Sequence, residues 1–355
     1  MPGKLTLMWR RMNAAELGKD VVLVPGYLGR MLGMDVDIVC SCPDDVSRQA
    51  AAMGVGIVQR PMSFKKALRM PVNVCYLLAN ARRIDVLMCF HWRLETIINV
   101  LLYKLLNPRG KVYVKLDTAN GNEFDNPSKK QLFAKALSKV DVMSCELSWV
   151  YDKLLANSTY GDILRDRLVY VPNGFDEDRL QTMLPQLASL KKENIILCVG
   201  RAGAHQKNME MLLEASRGLD LRDWKIMIAG SSTEQFRSMA ADCPVELLGE
   251  VNDRQALWSL YARARVFVCT SRWESYGIVL REAQRFGCYI VSTDVGAAKD
   301  ILQHADGRII DSGASLRSAL EELICNGVPA GGFDAADDAS SYSAVLRPLV
   351  KYLAK

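Results

Sequence analysis

Histidine is scarce in this chain, three among 355 residues, and long apolar runs are missing. No hydrophobic stretch approaches the ~18 residues of a membrane-spanning helix. The N-terminal segment is broken by Trp9-Arg10-Arg11 and further charges, so it does not read as a signal peptide. There is no short-period repeat, low-complexity tract or nucleic-acid motif, and nucleic acid is not an expected partner. Zinc-type spacing is absent too: Cys40 and Cys42 stand one residue apart, with no second pair or nearby histidine. Ten cysteines suit a disulfide scaffold only in a short secreted chain. Here Cys89, Cys198 and Cys269 sit inside apolar strand-like runs, where the thiol acts as a small hydrophobe. Reduced thiols and a cytoplasmic protein are the expectation.

What is present is the balance of a soluble enzyme, 50% hydrophobic and 24% charged. A chain of 355 residues exceeds what one core usually supports, so two domains are expected. The formal charge of +5 is modest but unevenly spread. No acidic residue falls between Asp45 and Asp85, while Arg48, Arg60, Lys65, Lys66, Arg69, Arg82 and Arg83 accumulate there with Phe64, Leu68 and Tyr76 interleaved. Such a 48–83 stretch can lie on an anionic membrane surface, on the inner face of the cell membrane, or can simply be a solvated basic face.

Short β-branched runs alternate with longer amphipathic segments, the pattern of βα units around a parallel sheet. In the first half the strands read as Val36–Cys40, Asp85–Phe90, Lys111–Leu116, Val140–Ser144 and Leu168–Val171. Pro172-Asn173-Gly174 then turns the chain, and the pattern restarts at Asn194–Val199, Trp224–Ala229, Val245–Leu248, Val266–Thr270, Cys288–Ser292 and Gly307–Ile310. The fold class is therefore α/β, two doubly wound halves facing across a cleft. The boundaries are 1–173 for an N-terminal domain, 174–340 for a C-terminal one, and 341–355 for a terminal helix able to pack back on the first.

Glu274 and Glu282 bracket Ser275-Tyr276-Gly277-Ile278-Val279-Leu280-Arg281, directly after the strand Val266–Thr270. The first carboxylate falls in the loop beyond the strand and the second inside the following helix. Ligands bind open α/β sheets at those carboxyl ends, and carboxylates there accept hydrogen bonds from hydroxyl-rich molecules. Two glutamates alone are common near helix starts. The loop after Asn194–Val199 changes the weighing. Gly200 permits close backbone approach, Arg201 can fork onto a phosphate, and Lys207 adds a point charge. Together they could hold a diphosphate and stabilise it as it departs.

Pro172-Asn173-Gly174-Phe175-Asp176, Val199-Gly200-Arg201 with Lys207-Asn208, Ala229-Gly230-Ser231, Leu248-Gly249 and Ser271 to Glu282 together resemble the donor domain of retaining GT-B glycosyltransferases of family 4, glycosyltransferase group 1. The resemblance implies a GT-B fold and transfer of a sugar from a nucleotide-sugar, with UDP favoured over GDP. It implies retention of configuration and no metal or other cofactor, in keeping with the lack of a DxD-type cluster after a strand. Carried over by motif, Arg201 and Lys207 would bind the diphosphate and Glu274 the sugar hydroxyls. Backbone around Ser275, Tyr276, Gly277 and Ile278 would meet sugar and phosphate, Glu282 the ribose, and Gly230, Leu248 and Gly249 would border the nucleotide. The chain departs from the family where Lys-Gly becomes Lys207-Asn208 and Glu-Gly-Phe-Gly becomes Glu274-Ser275-Tyr276-Gly277.

The first half resembles the family less closely. Its glycine-rich entry loop has a counterpart in Glu16 to Asp20, where Gly18 and Lys19 would contact nucleotide or acceptor through helix N-terminal amides. His91 and Arg93 follow a strand, where an acceptor or phosphate contact competes with a structural histidine. Relatives often carry His-Asp after the next strand. Here Leu116 takes the histidine's place and Asp117 remains, as a group that could orient the acceptor hydroxyl or merely form a turn. Lys115 would help charge balance there, and Glu123 and Asp125 are further candidates of lower rank. A saccharide or lipid-linked acceptor in surface polysaccharide or glycolipid synthesis is the expectation. A nucleotide-sugar 2-epimerase shares the architecture but relies on cleft acids and histidines, of which only His91 and His205 are offered. A non-catalytic sugar-binding paralogue is the remaining alternative.

Overall fold

A computed structural model describes residues 2–60, 69–124, 130–329 and 339–354. They divide into two compact units, Met1–Asp176 with Ser341–Lys355, and Glu177–Ser340. The first is built on seven strands: β1 (Gly3–Arg11), β2 (Met34–Ser41), β3 (Gly56–Gln59), β4 (Val86–Phe90), β5 (Lys111–Leu116), β6 (Val142–Cys145) and β7 (Leu168–Tyr170). The second has six: β8 (Glu193–Val199), β9 (Lys225–Ala229), β10 (Val245–Gly249), β11 (Ala264–Cys269), β12 (Tyr289–Thr293) and β13 (Gly307–Ile310). Their orders are β3-β2-β1-β4-β5-β6-β7 and β10-β9-β8-β11-β12-β13. Every pairing is parallel and helices separate successive strands, so both units are Rossmann-like, the two units that a GT-B fold calls for. Each sheet reverses its winding once, between β1 and β4 and between β8 and β11. A crevice opens at such a switch point, beyond the carboxyl ends of the two strands.

Two strands were not anticipated. β1 is an inner strand of its sheet, with Leu5, Thr6 and Leu7 fully buried, so it shows no alternation. Lys4, Arg10 and Arg11 at its ends hide it further, although Lys4 pairs with Asp37. β3 is a short edge strand without a fully buried residue. Pro71 falls in the first turn of the helix Arg69–Asn80, where a missing N–H costs no hydrogen bond. Phe64, Lys65, Lys66 and Leu68 of the basic stretch lie outside the described residues, as does Asp125.

The segment after Ser340 belongs to the first unit. Instead of one helix from Tyr342 to Lys355 it forms two short ones, Tyr342–Val345 and Arg347–Leu353, with Pro348 at the start of the second. Tyr342, Leu346, Leu349 and Leu353 are buried in the same cluster as Leu5, Leu7, Tyr27 and Val142. Each such side chain contributes about 1.5–3 kcal/mol. Tyr342 N–H donates to Phe175 O at 3.1 Å, and a Cβ on Gly174 would come within 2.7 Å of the Tyr342 backbone nitrogen. Glycine is needed at 174 for that approach. Tyr27 Oη donates to Asp176 at 3.1 Å, so the turn after β7 stays with the first unit.

In the second unit, Ile196, Cys198, Leu212, Val266, Val268, Leu316 and Leu320 lie in the core. Its first helix, Glu177–Leu187, is fixed by the Arg285 guanidinium, which donates to both Glu177 oxygens at 2.8 and 3.0 Å. All ten cysteines are free. Among the described residues, no helix is long and apolar enough to cross a membrane.

Candidate functional site

The loops that leave β8 and β11 meet at the switch point of the second unit. Lys207 Nζ donates to Glu274 Oε1 at 2.5 Å, and Ser271 Oγ donates to the same oxygen at 2.7 Å. Gln206 Nε2 reaches Glu274 Oε2 at 3.4 Å and Trp273 O at 3.1 Å, while its Oε1 accepts from Arg201 Nη2 at 3.3 Å. Arg201, Lys207 and Glu274 therefore form one chain of contacts. Glu274 is buried and Arg201 exposed. The guanidinium fork of Arg201 spends only one bond within the protein in this chain, so it has donors left for an anion.

Backbone geometry explains why these loops can approach so closely. A Cβ on Gly230 would sit 1.9 Å from Gly200 O, at a φ of 138°. Glycine at 230 is therefore obligatory for the ends of β8 and β9 to meet. Asn208 takes the left-handed region at φ 48°, which asparagine tolerates better than most residues. This accounts for Lys207-Asn208 in place of Lys-Gly, and the Asn208 side chain is itself used, accepting from Arg272 Nη2 at 2.8 Å.

Gly277, at φ 87°, is the N-cap of the helix Ile278–Arg285, whose first-turn amides have no carbonyl of their own helix to meet. Ser275 is exposed there, while Tyr276 turns inward and its hydroxyl accepts from Arg281 Nε at 3.1 Å. Only the backbone of Tyr276 is available to a ligand. Glu282 lies on this helix with a separate set of partners: its Oε1 accepts from Arg254 Nη1 at 2.7 Å and Trp258 Nε1 at 3.2 Å. The structure thus divides the glutamate pair between two networks. Leu248 and Gly249 end the edge strand β10, where Gly249 O accepts from Gly230 N at 2.7 Å.

In the first unit, Gly18 and the exposed Lys19 precede the helix Asp20–Leu32, with Lys19 as N-cap. Lys115, near the end of β5, is fully buried. Its Nζ lies 2.6 Å from Glu146 Oε2 and 3.0 Å from Asp20 Oδ2, which ties the ends of β5 and β6 to the start of that helix. Two carboxylates around one ammonium leave an excess negative charge in a dry site. Burial accordingly pushes the Glu146 carboxyl up to about 8.

Leu116, where relatives carry histidine, is fully buried. Asp117 is half-buried, and its carbonyl accepts from His91 Nδ1 at 2.9 Å. A carbonyl can only accept, so Nδ1 carries the proton and Nε2 keeps its lone pair. Burial lowers the His91 pKa, and the ring is neutral near pH 7. His91 also takes a left-handed φ of 59°, directly at the end of β4. Arg93 is exposed at the N-cap of the helix Leu94–Leu106. Glu123 accepts from Thr118 Oγ1 at 2.9 Å, inside its own loop.

Sequence reasoning missed Ser271, Gln206, Arg254, Trp258, Glu146 and Asp20. Ser271 and Gln206 sit in loops already singled out and are the polar residues able to orient their charged neighbours. Asp20 closes the entry loop already singled out, while Arg254, Trp258 and Glu146 are brought in from distant strands and helices, and nothing local marks them. No group of three or more His, Cys, Asp or Glu gathers as a metal-ligand set among the described residues.

Residues 181–330 match the family profile described as glycosyl transferases group 1. A phosphatidyl-myo-inositol mannosyltransferase of Mycobacterium leprae is 31% identical over 183 residues, covering 49% of this chain and 49% of that protein. The chain thus spans about half the length of this curated relative. Among solved structures, a glycosyltransferase from Rickettsia africae superposes with TM-score 0.71 at 14% identity, covering 99% and 98% of the two chains. The Anabaena protein HepE, in complex with UDP and glucose, superposes with TM-score 0.62 at 13% identity over 99% and 96%. Likeness at such identity carries the fold.

Proposed function

On the premise that residues 181–330 belong to the glycosyl transferases group 1 family, we propose that the chain is a retaining glycosyltransferase that moves a sugar from a UDP-sugar to a hydroxyl of a saccharide or lipid-linked acceptor. The observation that carries this reading is the chain Arg201–Gln206–Glu274–Lys207 at the β8–β11 switch point. It sets two cations beside a buried carboxylate whose second oxygen has weaker partners. The cations match a diphosphate and the carboxylate matches sugar hydroxyls.

In this reading Arg201 and Lys207 take up negative charge as the diphosphate leaves, a preorganised electrostatic stabilisation. Lys207 has three donors, so it can serve a phosphate oxygen while keeping Glu274 in position. Glu274, oriented by Ser271, fixes the sugar. The amides at Gly277 and Ile278 meet sugar and phosphate, and Glu282 meets the ribose through its Oε2. No residue is assigned as a covalent nucleophile. The acceptor hydroxyl attacks on the face from which the diphosphate departs and passes its proton to that group, which preserves configuration. No metal is required. In the first unit the neutral His91 and Asp117 would orient the acceptor hydroxyl.

UDP is favoured because HepE is described with UDP and glucose. A lipid-linked acceptor is favoured by the mycobacterial relative's named activity. Work on the cytoplasmic face of a membrane fits that acceptor and the exposed Arg48, Arg82 and Arg83. Co-sedimentation with anionic liposomes at low salt tests the membrane claim, and absence of binding removes it.

The decisive experiment is a thermal-shift screen of nucleotide sugars, because a ligand that binds only the native state raises its melting temperature. A UDP-sugar should stabilise the wild type and lose that effect in Lys207→Ala. If no nucleotide sugar shifts the wild type, the proposal fails.

A further inference from the structure

The switch point of the first unit holds a cavity of about 290 Å³, lined by Met8–Arg11 from the end of β1 and by Cys89–His91, Arg93, Glu95, Thr96 and Asn99 from the end of β4 and the helix after it. Ligand sites run from about 300 Å³ upward. The cavity thus suits a headgroup and not a whole nucleotide sugar. A larger space, about 750 Å³ and lined by Lys104, Asp141 and Arg167, lies at the opposite ends of the strands, away from the crevice side.

Charge in the small cavity is unbalanced in one direction. Glu95 is its only acid, and that carboxylate is occupied: Arg10 Nη2 donates to Oε2 at 3.2 Å and Asn73 Nδ2 to Oε1 at 2.8 Å. Arg11 and Arg93 are exposed and, among the described residues, neither guanidinium has a hydrogen-bond or ion-pair partner. The helix Leu94–Leu106 begins here with Arg93 as an N-cap that makes no side-chain bond, so its first amides and its dipole face the same place. Two further atoms are buried without partners, Trp9 Nε1, a donor, and Asn99 Oδ1, an acceptor. Asn99 is only 3% exposed. Buried polar groups of this kind are normally satisfied.

We infer that this cavity binds the phosphorylated headgroup of a sugar or polyol. The phosphate satisfies Arg11, Arg93 and the helix amides, and a hydroxyl can accept from Trp9 Nε1 and donate to Asn99 Oδ1. His91 lines the same cavity with Nε2 as its remaining acceptor. On the proposed transferase reading, this makes the acceptor an anionic one, held by its phosphate while a hydroxyl faces His91.

Calorimetric titration of the full chain with glucose 6-phosphate, glycerol 3-phosphate, glucose and inorganic phosphate tests the inference. At least one of the two phosphorylated compounds should bind at least tenfold more tightly than glucose or phosphate alone, and added salt should weaken it. The double variant R11Q/R93Q changes exposed residues and should lose at least tenfold. Trp9→Phe, which keeps an aromatic ring and removes the donor, should lose severalfold. Equal affinity for glucose and its phosphate, no binding of either phosphorylated compound, or wild-type binding by R11Q/R93Q overturns the inference. UDP titrated into the same protein reads the donor site separately. UDP bound without either phosphorylated compound overturns the cavity assignment and leaves the transferase standing, while the converse upholds the cavity and sinks the transferase.

Discussion

Lys207 Nζ and Glu274 Oε1 stand 2.5 Å apart, so the cation assigned to the phosphate and the carboxylate assigned to the sugar are a single ion pair. Each orients the other. Replacing either one should cost about 100- to 1,000-fold in turnover, the usual scale for a preorganised group at developing charge. The double variant K207A/E274Q should be little worse than the poorer single one, because residues acting as a unit are not additive. Rates of UDP release, with circular dichroism to confirm folding, make the comparison. Full additivity would mean the two act independently.

Glu282 should behave differently. Glu282→Ala strands Arg254 and Trp258 Nε1 and should destabilise the protein by about 2–4 kcal/mol in urea melts. Glu282→Gln keeps an acceptor for them and should mainly raise KM for the donor, by about fivefold, with kcat nearly unchanged, as expected for uniform binding. A fall in kcat matching that of Glu274→Gln would move Glu282 into the chemistry.

How much of this was legible beforehand depended on how local the signal was. Eleven of the thirteen strands are apolar runs over their own few residues, and all eleven could be drawn from sequence within a residue or two. β1 was lost because Leu5-Thr6-Leu7 is buried on both faces and flanked by Arg10 and Arg11. Lys207 and Glu274 were legible through motif order, yet their pairing was not, since 67 positions separate them. Lys115 was legible as a strand-end cation for charge balance, but not its partner. Only the sheet order, which sets β5 beside β6, shows that Glu146 is waiting for it.

That buried cluster makes a pH prediction. The Glu146 carboxyl has its folded pKa raised from 4.5 to about 8, so the folded state holds a proton that the unfolded chain releases. Stability from this group is therefore present below the unfolded value and is lost as pH rises toward 8. Glu146→Gln removes the titration. Relative to wild type, the variant should gain at least about 1 kcal/mol between pH 5 and pH 8. Urea melts at three pH values in that window decide it, and a constant difference would show that Glu146 is ionised throughout.

The terminal segment supplies the last prediction. Removing 341–355 strips Tyr342, Leu346, Leu349 and Leu353 from the first unit's core. At about 1.5–3 kcal/mol each, the loss rivals the whole stability of a typical domain. The truncated chain should aggregate or expose dye-binding apolar surface, while the Glu177–Ser340 unit keeps its own melting transition. A truncated chain with both transitions intact would contradict this.

The same segment sets an order of events during synthesis. Residues 1–176 leave the ribosome first, but their core waits for four side chains encoded after all of Glu177–Ser340. At cellular elongation rates that interval is on the order of ten seconds or more. Throughout it, the groove under Tyr27 and Leu28 is an open apolar surface on a nascent chain, a natural client for a chaperone. The second unit, continuous in sequence, can finish first, so this protein inverts the usual rule that the N-terminal domain completes before the one that follows it.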